Sequence, residues 1–133
     1  MSGGDVDGDS LPDVVLASTS STAANVHAFD HAGNRLYTVP ILQYGIARGG
    51  AFVGDLDGDR CDDFVIGIDW YDNFRGALAV FSGRTGAIMR FTPGELPGDR
   101  ICYPLAAVGD VDRDGLTDYM VGNYFGQGGR SLI

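Results

Sequence analysis

Cysteine and basic residues are both scarce in this 133-residue sequence, and each scarcity excludes a class of protein. Cys61 and Cys102 are the only cysteines, which is too few for a disulfide scaffold and lacks the ligand spacing of a zinc site. A single bridge between them stays open at this point. Lysine and arginine total 9 against 18 acidic residues, and the net charge of -9 excludes nucleic-acid or anionic-membrane binding through a basic patch.

Long apolar runs are also lacking. No window reaches the roughly 18 to 20 apolar residues that a membrane-spanning helix needs, so we expect no membrane insertion. The first four residues, Met1-Ser2-Gly3-Gly4, have neither the basic start nor the apolar run of a signal peptide. We therefore expect no signal peptide within this segment, and the question of export stays open. Its other features favour an extracellular or cell-surface location.

Glutamate is nearly absent, whereas glycine is abundant. Glu95 is the single glutamate among the 18 acidic residues, so the acidity comes from aspartate, the shorter carboxylate that suits tight turns and metal loops. The 21 glycines require many turns, and a hydrophobic share of 44% is sufficient for a globular core. Together these features favour a turn-rich, all-β architecture.

Three copies of one unit account for most of the aspartates. Each copy is an aspartate-rich loop followed by an apolar run, and the loops begin at Asp5, Asp55 and Asp110. The spacings of 50 and 55 residues are typical of propeller blades or solenoid units. A two-helix repeat is excluded because the segments between loops are short, β-branched or aromatic, and interrupted by glycine.

The segments between the loops predict short antiparallel strands. The best-covered unit predicts four: 47–53, 64–68, 77–81 and 87–91. The unit before it predicts 14–18, 26–29 and 35–39, and the unit after it predicts 103–108 and 119–121. Four such strands make one propeller blade. The chain 1–133 is therefore interpreted as a single partial β-propeller of about two and a half blades, with units at 1–45, 46–100 and 101–133. Because a closed propeller needs about four to eight blades, we expect self-association or contact with further blades.

Calcium is the cofactor that these loops predict. Carboxylates recur at positions 1, 3, 5 and 9 of every loop, and a backbone carbonyl at position 7 would add a ligand. Alternate residues of a tightly curled loop point to a common centre, and calcium takes six to eight oxygen ligands. An EF-hand would need an acid at position 12, where these loops have apolar residues. The predicted ligands are Asp5, Asp7, Asp9, Leu11 and Asp13; Asp55, Asp57, Asp59, Cys61 and Asp63; and Asp110, Asp112, Asp114, Leu116 and Asp118.

These loops resemble those of the FG-GAP repeat family, the integrin-alpha-like calcium-binding propeller repeats, whose usual loop is Asp-x-Asp/Asn-Gly-Asp-Gly-x-x-Asp before an apolar strand. The resemblance implies calcium between the first and second strands of each blade, at the carboxylates named above. The sequence departs from the family where glycine is usual at both positions 4 and 6, because Ser10, Arg60 and Arg113 each replace one of the two. If position 6 requires a positive φ, Arg60 makes the second loop the weakest.

Two functions follow from this interpretation. The first is a secreted or surface-exposed module that binds protein or glycan while structural calcium rigidifies one face, and it is not itself an enzyme. The alternative is the propeller scaffold of a calcium-dependent extracellular carbohydrate-active enzyme, such as a polysaccharide lyase, with its catalytic residues outside this segment. No Gly-x-Ser-x-Gly nucleophile motif and no phosphate-binding glycine loop is present.

A few other residues are candidates for binding. The aromatic loop Trp70-Tyr71-Asp72-Asn73-Phe74-Arg75 can stack on a sugar ring, and Tyr124-Phe125 holds a comparable place after the third loop. Packing between blades explains the same aromatic residues, so both interpretations stay open. His27 and His31 are expected to be solvent-exposed turn residues and not a metal pair.

Overall fold

The computed structural model describes residues 1–20, 22–41 and 43–123, and this part of the chain is all β. Its nine strands are β1 (Val14–Thr19), β2 (Ala24–Phe29), β3 (Arg35–Pro40), β4 (Ile46–Gly54), β5 (Asp63–Asp69), β6 (Ala77–Phe81), β7 (Ile88–Pro93), β8 (Ile101–Gly109) and β9 (Asp118–Asn123). They form three antiparallel sheets in the orders β1-β2-β3, β4-β5-β6-β7 and β8-β9. The predicted all-β, partial-propeller architecture is confirmed. Tyr124-Phe125 and the end of the predicted unit 101–133 lie outside the described residues.

The second sheet is the complete four-stranded blade that the sequence predicts. Its two central strands, β5 and β6, are buried along their whole length, which is why both consist of near-continuous apolar residues instead of an alternating pattern. The first sheet has three strands, with residues 1–4 alongside β1: Val15 N–H donates to the Met1 carbonyl, and Ser2 bridges Val14. The third sheet consists of β8 and β9 in the described residues.

The sheets pack face to face in chain order. One apolar cluster joins the first and second sheets around the stacked rings of Phe64 and Phe81, whose centroids are 5.2 Å apart. A second cluster joins the second and third sheets through Val65, Val80 and Val121, among others. Gly67 of β5 lies so close to the backbone of Cys102 in β8 that no side chain fits between them. Both cysteines are buried and free.

The direction of the strands determines at which of the two ends of the sheets each connecting loop lies. In an antiparallel sheet, successive connections alternate between ends. The three aspartate-rich loops and the β2–β3 and β6–β7 hairpins therefore share one end, called here the acidic end. The β1–β2, β3–β4 and β5–β6 connections share the other, called here the aromatic end. No helix is present among the described residues, so none of them forms a helix able to span a membrane.

Candidate metal centres

Each aspartate-rich loop brings three of its four carboxylates together. One oxygen each from positions 1, 3 and 9 lies within 4.8 Å of the other two in all three loops. The three groups are Asp5, Asp7 and Asp13; Asp55, Asp57 and Asp63; and Asp110, Asp112 and Asp118. The carboxylate at position 5 is not part of these groups. Of the four carboxylates predicted as ligands in each loop, the structure thus groups those at positions 1, 3 and 9 and leaves out the one at position 5.

The backbone of each loop is organised by its own carboxylates. In the second loop, Asp55 Oδ1 accepts hydrogen bonds from the N–H groups of Gly58 and Asp59, at 2.7 and 3.1 Å, and Asp55 Oδ2 accepts one from Arg60 at 2.9 Å. The Arg60 N–H group, followed by those of Gly58 and Asp59, holds the pKa of Asp55 below its usual value despite some desolvation. Asp5 accepts the three matching bonds in the first loop, and Asp110 accepts those from positions 5 and 6 in the third. The carboxylate at position 1 is therefore directed inward, toward the backbone of its own loop.

Positions 4 and 6 both adopt the left-handed backbone conformation in every loop. Position 6 is Ser10, Arg60 or Gly115, with φ of 69°, 70° and 92°. Position 4 is Gly8, Gly58 or Arg113, with φ of 86°, 83° and 68°. The condition placed on Arg60 by the sequence, that position 6 requires a positive φ, is met. Because each loop has one non-glycine residue in this conformation, the backbone strain is shared among the loops and does not single out the second.

Position 9 anchors each loop to the strand that follows. Asp13 and Asp63 have no exposed surface, and one oxygen of each accepts the N–H group of position 2, Val6 or Leu56, at 2.9 and 2.8 Å. Desolvation by burial raises the pKa of both carboxyls, more than these hydrogen bonds lower it, and the neighbouring aspartates raise it further. A cation beside these carboxylates would remove that penalty.

Position 7 makes the same backbone hydrogen bond in all three loops, but the burial of its side chain differs. The N–H groups of Leu11, Cys61 and Leu116 donate to the position 5 carboxylates, Asp9, Asp59 and Asp114, at 2.8 to 2.9 Å. The side chains of Leu11 and Leu116 are exposed, whereas Cys61 is buried and its thiol pKa is raised by that burial to about 11. The position 7 carbonyls remain predicted ligands.

The hairpins at the acidic end reach the position 5 carboxylates, which sequence reasoning missed. His31 Nδ1 lies 3.0 Å from Asp9 Oδ2, and Arg84 Nε lies 3.2 Å from Asp59 Oδ2. His31 is in a turn and exposed, as expected, but His27 lies within β2, half-buried, between Ser18 and Thr38. The expectation that His27 is a turn residue was therefore wrong. The alternation of connections between ends was the signal that could have placed His31 beside the first loop.

The aspartate-rich loops of the first two sheets are also bonded to each other. Asp62 N–H donates to the Asp5 carbonyl at 2.6 Å, and Asp5 N–H donates to Asp62 Oδ2 at 3.0 Å. The Tyr37 hydroxyl donates to the Gly83 carbonyl at 2.6 Å. The geometry of one loop is therefore fixed partly by its neighbour.

The aromatic end contains an open groove of about 810 Å³ between the first and second sheets. Its lining combines the ring of Trp70 with polar side chains, including Ser20, Gln43 and Asp72. Trp70 is 51% exposed, and its loop includes four non-glycine residues with positive φ: Trp70, Asp72, Asn73 and Phe74. Strained backbone combined with an exposed aromatic ring is a feature of binding loops.

Part of the sequence matches a known repeat family, and longer stretches are similar to integrin alpha proteins. Residues 5–66 match the model of the FG-GAP-like repeat. Integrin alpha-11 of Homo sapiens is 28% identical over 138 aligned residues, which cover 89% of this chain and 12% of that protein. Integrin alpha-PS2 of Drosophila melanogaster is 39% identical over 69 residues, which cover 52% of this chain and 5% of that protein.

A comparison of structures gives the same architecture. A rhamnogalacturonan lyase of Bacillus licheniformis superposes with a TM-score of 0.59 over 99% of this chain and 33% of that chain, at 18% identity. At this identity the likeness concerns the fold alone. This chain thus spans a small part of the proteins that it matches. Residues 5–66, which contain the first two aspartate-rich loops, therefore match the FG-GAP-like repeat family, and the chain is similar to integrin alpha proteins over most of its length.

Proposed function

We propose that this chain is a calcium-binding repeat module, secreted or at the cell surface, that binds a protein or glycan ligand and is not itself an enzyme. Calcium at the acidic end fixes the sheets relative to each other, and recognition takes place at the aromatic end. The observation that supports calcium best is the same group of three carboxylates, at positions 1, 3 and 9, in three successive loops.

The chemistry of the loops fits a hard divalent cation. Asp13 Oδ1 is fully buried, and no described group donates a hydrogen bond to it. A buried carboxylate oxygen without a partner is costly unless a cation compensates it. The predicted ligands are all oxygens of the protein, which favours calcium over magnesium because magnesium requires near-octahedral geometry and retains several waters. The ligands predicted from the sequence, at positions 1, 3, 5, 7 and 9 of each loop, would hold the calcium ion.

Thermal unfolding of the 133-residue chain tests this proposal. An ion that binds only the folded state raises its stability by RT ln(1 + [L]/Kd). For extracellular modules with Kd of about 10⁻⁴ to 10⁻³ M, 1 mM calcium at three sites stabilises by about 1 to 4 kcal/mol in total. We expect a higher midpoint in calcium than in chelator, and a smaller rise in equal magnesium.

The variant carrying both Asp57→Ala and Asp112→Ala is the matched comparison. Both carboxylates are exposed and belong to the position 3 set, so their loss removes ligands with little effect on the core. We expect it to lose most of the calcium-dependent rise and to retain the chelator midpoint within a few degrees. A wild-type midpoint indifferent to calcium would show that the loops are only turns.

The groove at the aromatic end supports glycan recognition. An exposed indole ring stacks on sugar rings, and the polar groups of Ser20, Gln43 and Asp72 line the same groove, where they are placed to hydrogen-bond hydroxyls. The rival interpretation, a scaffold of a carbohydrate-active enzyme, shares sugar contact but adds turnover. These two functions therefore differ in their products.

A glycan array in calcium separates the two functions. We expect selective binding without depolymerisation, and a loss of about tenfold or more in affinity for Trp70→Ala, since removing a stacking aromatic residue costs on the order of 1 to 3 kcal/mol. Trp70→Phe retains a ring and should lose less. Shortened polysaccharide would support the enzyme scaffold, and binding equal in all three proteins would place recognition elsewhere.

A further inference from the structure

The first aspartate-rich loop differs from the second in having an imidazole nitrogen, which can bind a metal ion, beside its carboxylates. One oxygen of Asp9, one of Asp13 and one ring nitrogen of His31 lie within 4.8 Å of one another. His31 belongs to the β2–β3 hairpin, which returns to the acidic end beside this loop. The set therefore joins two elements that are separate in the sequence.

We propose that Asp9, Asp13 and His31 form a site for an imidazole-binding divalent transition metal, with zinc as the representative ion, in addition to the calcium set of positions 1, 3 and 9. Zinc takes nitrogen and carboxylate oxygen ligands at about 2.0 to 2.2 Å, commonly three from protein with water as the fourth. Tetrahedral bonds of that length place ligand atoms about 3.3 Å apart. The 3.0 Å between His31 Nδ1 and Asp9 Oδ2 is close to this separation.

The buried oxygen of Asp13 is the second, independent indication of a bound ion. Asp13 has no exposed surface, its Oδ2 accepts the Val6 N–H at 2.9 Å, and its Oδ1 has no hydrogen-bond partner among the described residues. A buried carboxylate that retains one unpartnered oxygen and lies beside an imidazole nitrogen is a combination suited to a cation.

The second loop shows what the same architecture looks like without this site. There, Asp63 Oδ1 accepts the Gly83 N–H at 2.9 Å. Arg84 lies against the position 5 residue, with its guanidinium donating to the Asp59 carboxylate and carbonyl at 3.2 and 2.8 Å. The register of the strands makes His31 the counterpart of Gly83, since Val14 pairs with Phe29 as Phe64 pairs with Phe81. A bonded Asp63 and a cationic neighbour disfavour a second metal in that loop.

Nuclear magnetic resonance of the histidine rings tests the proposal on the unmodified chain. The sequence has two histidines, so His27, bonded to Ser18 and Thr38 on the face of the first sheet, is an internal control. On addition of zinc, we expect the ring nitrogen signals of His31 to shift and those of His27 to stay. Unchanged His31 signals at saturating zinc would overturn the proposal.

Isothermal titration calorimetry with zinc and with calcium then compares His31→Gln, His27→Gln and the unmodified chain. Loss of a metal ligand is expected to weaken zinc binding by about tenfold or more, because even groups that only orient a ligand contribute 10- to 100-fold. His31→Gln should retain calcium affinity within about twofold, and His27→Gln should change neither metal. Equal zinc affinity in all three proteins contradicts the proposal. A chain that binds zinc through His31 but not calcium would overturn the calcium function and leave this site standing.

Discussion

Replacing Asp63 with alanine is expected to lower the free energy of unfolding by about 3 to 5 kcal/mol, even in chelator. Asp63 has no exposed surface, and its two oxygens accept the N–H groups of Leu56 and Gly83, at 2.8 and 2.9 Å. Alanine leaves two buried donors without partners, at about 1 to 3 kcal/mol each, and adds a small cavity. Asp63 therefore joins the loop, the hairpin and β5 whether or not an ion is bound.

Two further variants separate structure from metal binding at this loop. Asp57→Ala removes an exposed carboxylate from the same metal group, so in chelator it should cost less than about 1 kcal/mol. Asp63→Asn retains one acceptor oxygen, so its cost in stability should lie between those of Asp57→Ala and Asp63→Ala. Urea unfolding in chelator and in calcium measures all three. If Asp63→Ala were no less stable than Asp57→Ala in chelator, the anchoring role of position 9 would be wrong.

Strands and loops could be predicted from the sequence because their signals are local. Strand β6 has the bounds that the sequence predicts, and the other strands agree within two residues at each end. Two signals combined at the loops: aspartates recurring in register and an apolar run after position 9. The sequence placed all twelve carboxylates in the three loops, whereas the structure makes Asp63 and Asp118 the first residues of β5 and β9. The boundaries of the repeat units remain an interpretation.

Alternation of the connections can place a hairpin and a loop at the same end, but which of their side chains touch could not be predicted, because that depends on how the elements pack. His31 and Asp9 are 22 positions apart, and nothing in the turn around His31 indicates an acidic neighbour. The ion pair of Arg100, in the connection before β8, with Asp69 at the end of β5 likewise leaves no local pattern. The hydrogen bonding of the buried carboxylates could not be predicted either. Asp13 and Asp63 occupy the same loop position, yet of these two only Asp13 retains an oxygen without a partner.

The two ends of the sheets divide the proposed function between them. At the acidic end, cations would offset the mutual repulsion of clustered carboxylates and fix neighbouring loops, which are already joined through Asp5 and Asp62. At the aromatic end, the Trp70 loop has a strained backbone and needs support from buried groups. Asp69, the last residue of β5, provides that support and connects the core to the groove.

Replacing Arg100 with alanine is expected to cost about 3 to 5 kcal/mol of stability and to loosen the Trp70 loop. Arg100 donates to both oxygens of Asp69, at 2.8 and 2.7 Å, and its guanidinium lies 5.4 Å from the centroid of the Phe74 ring. Asp69 is only 3% exposed and also accepts the Trp70 N–H at 2.9 Å. Removal of one partner leaves a buried charge compensated only in part, which is the costly outcome for such pairs.

Fluorescence of Trp70, the single tryptophan, and urea unfolding measure this effect. Arg48→Ala is the control. Arg48 is half-exposed and bonds Asp69 at 3.2 Å, so its replacement should cost less than about 1 kcal/mol.

Burial alone would raise the pKa of Asp69, but Arg100, the Trp70 N–H and Arg48 together lower it below the ordinary value of 3.8. A lowered pKa contributes stability that is present above that value and is lost as pH falls through the folded-state pKa. The deficit of Arg100→Ala should therefore shrink in acid, and a deficit that is constant with pH would mean that Arg100 acts through packing on Phe74 instead of through the charge of Asp69.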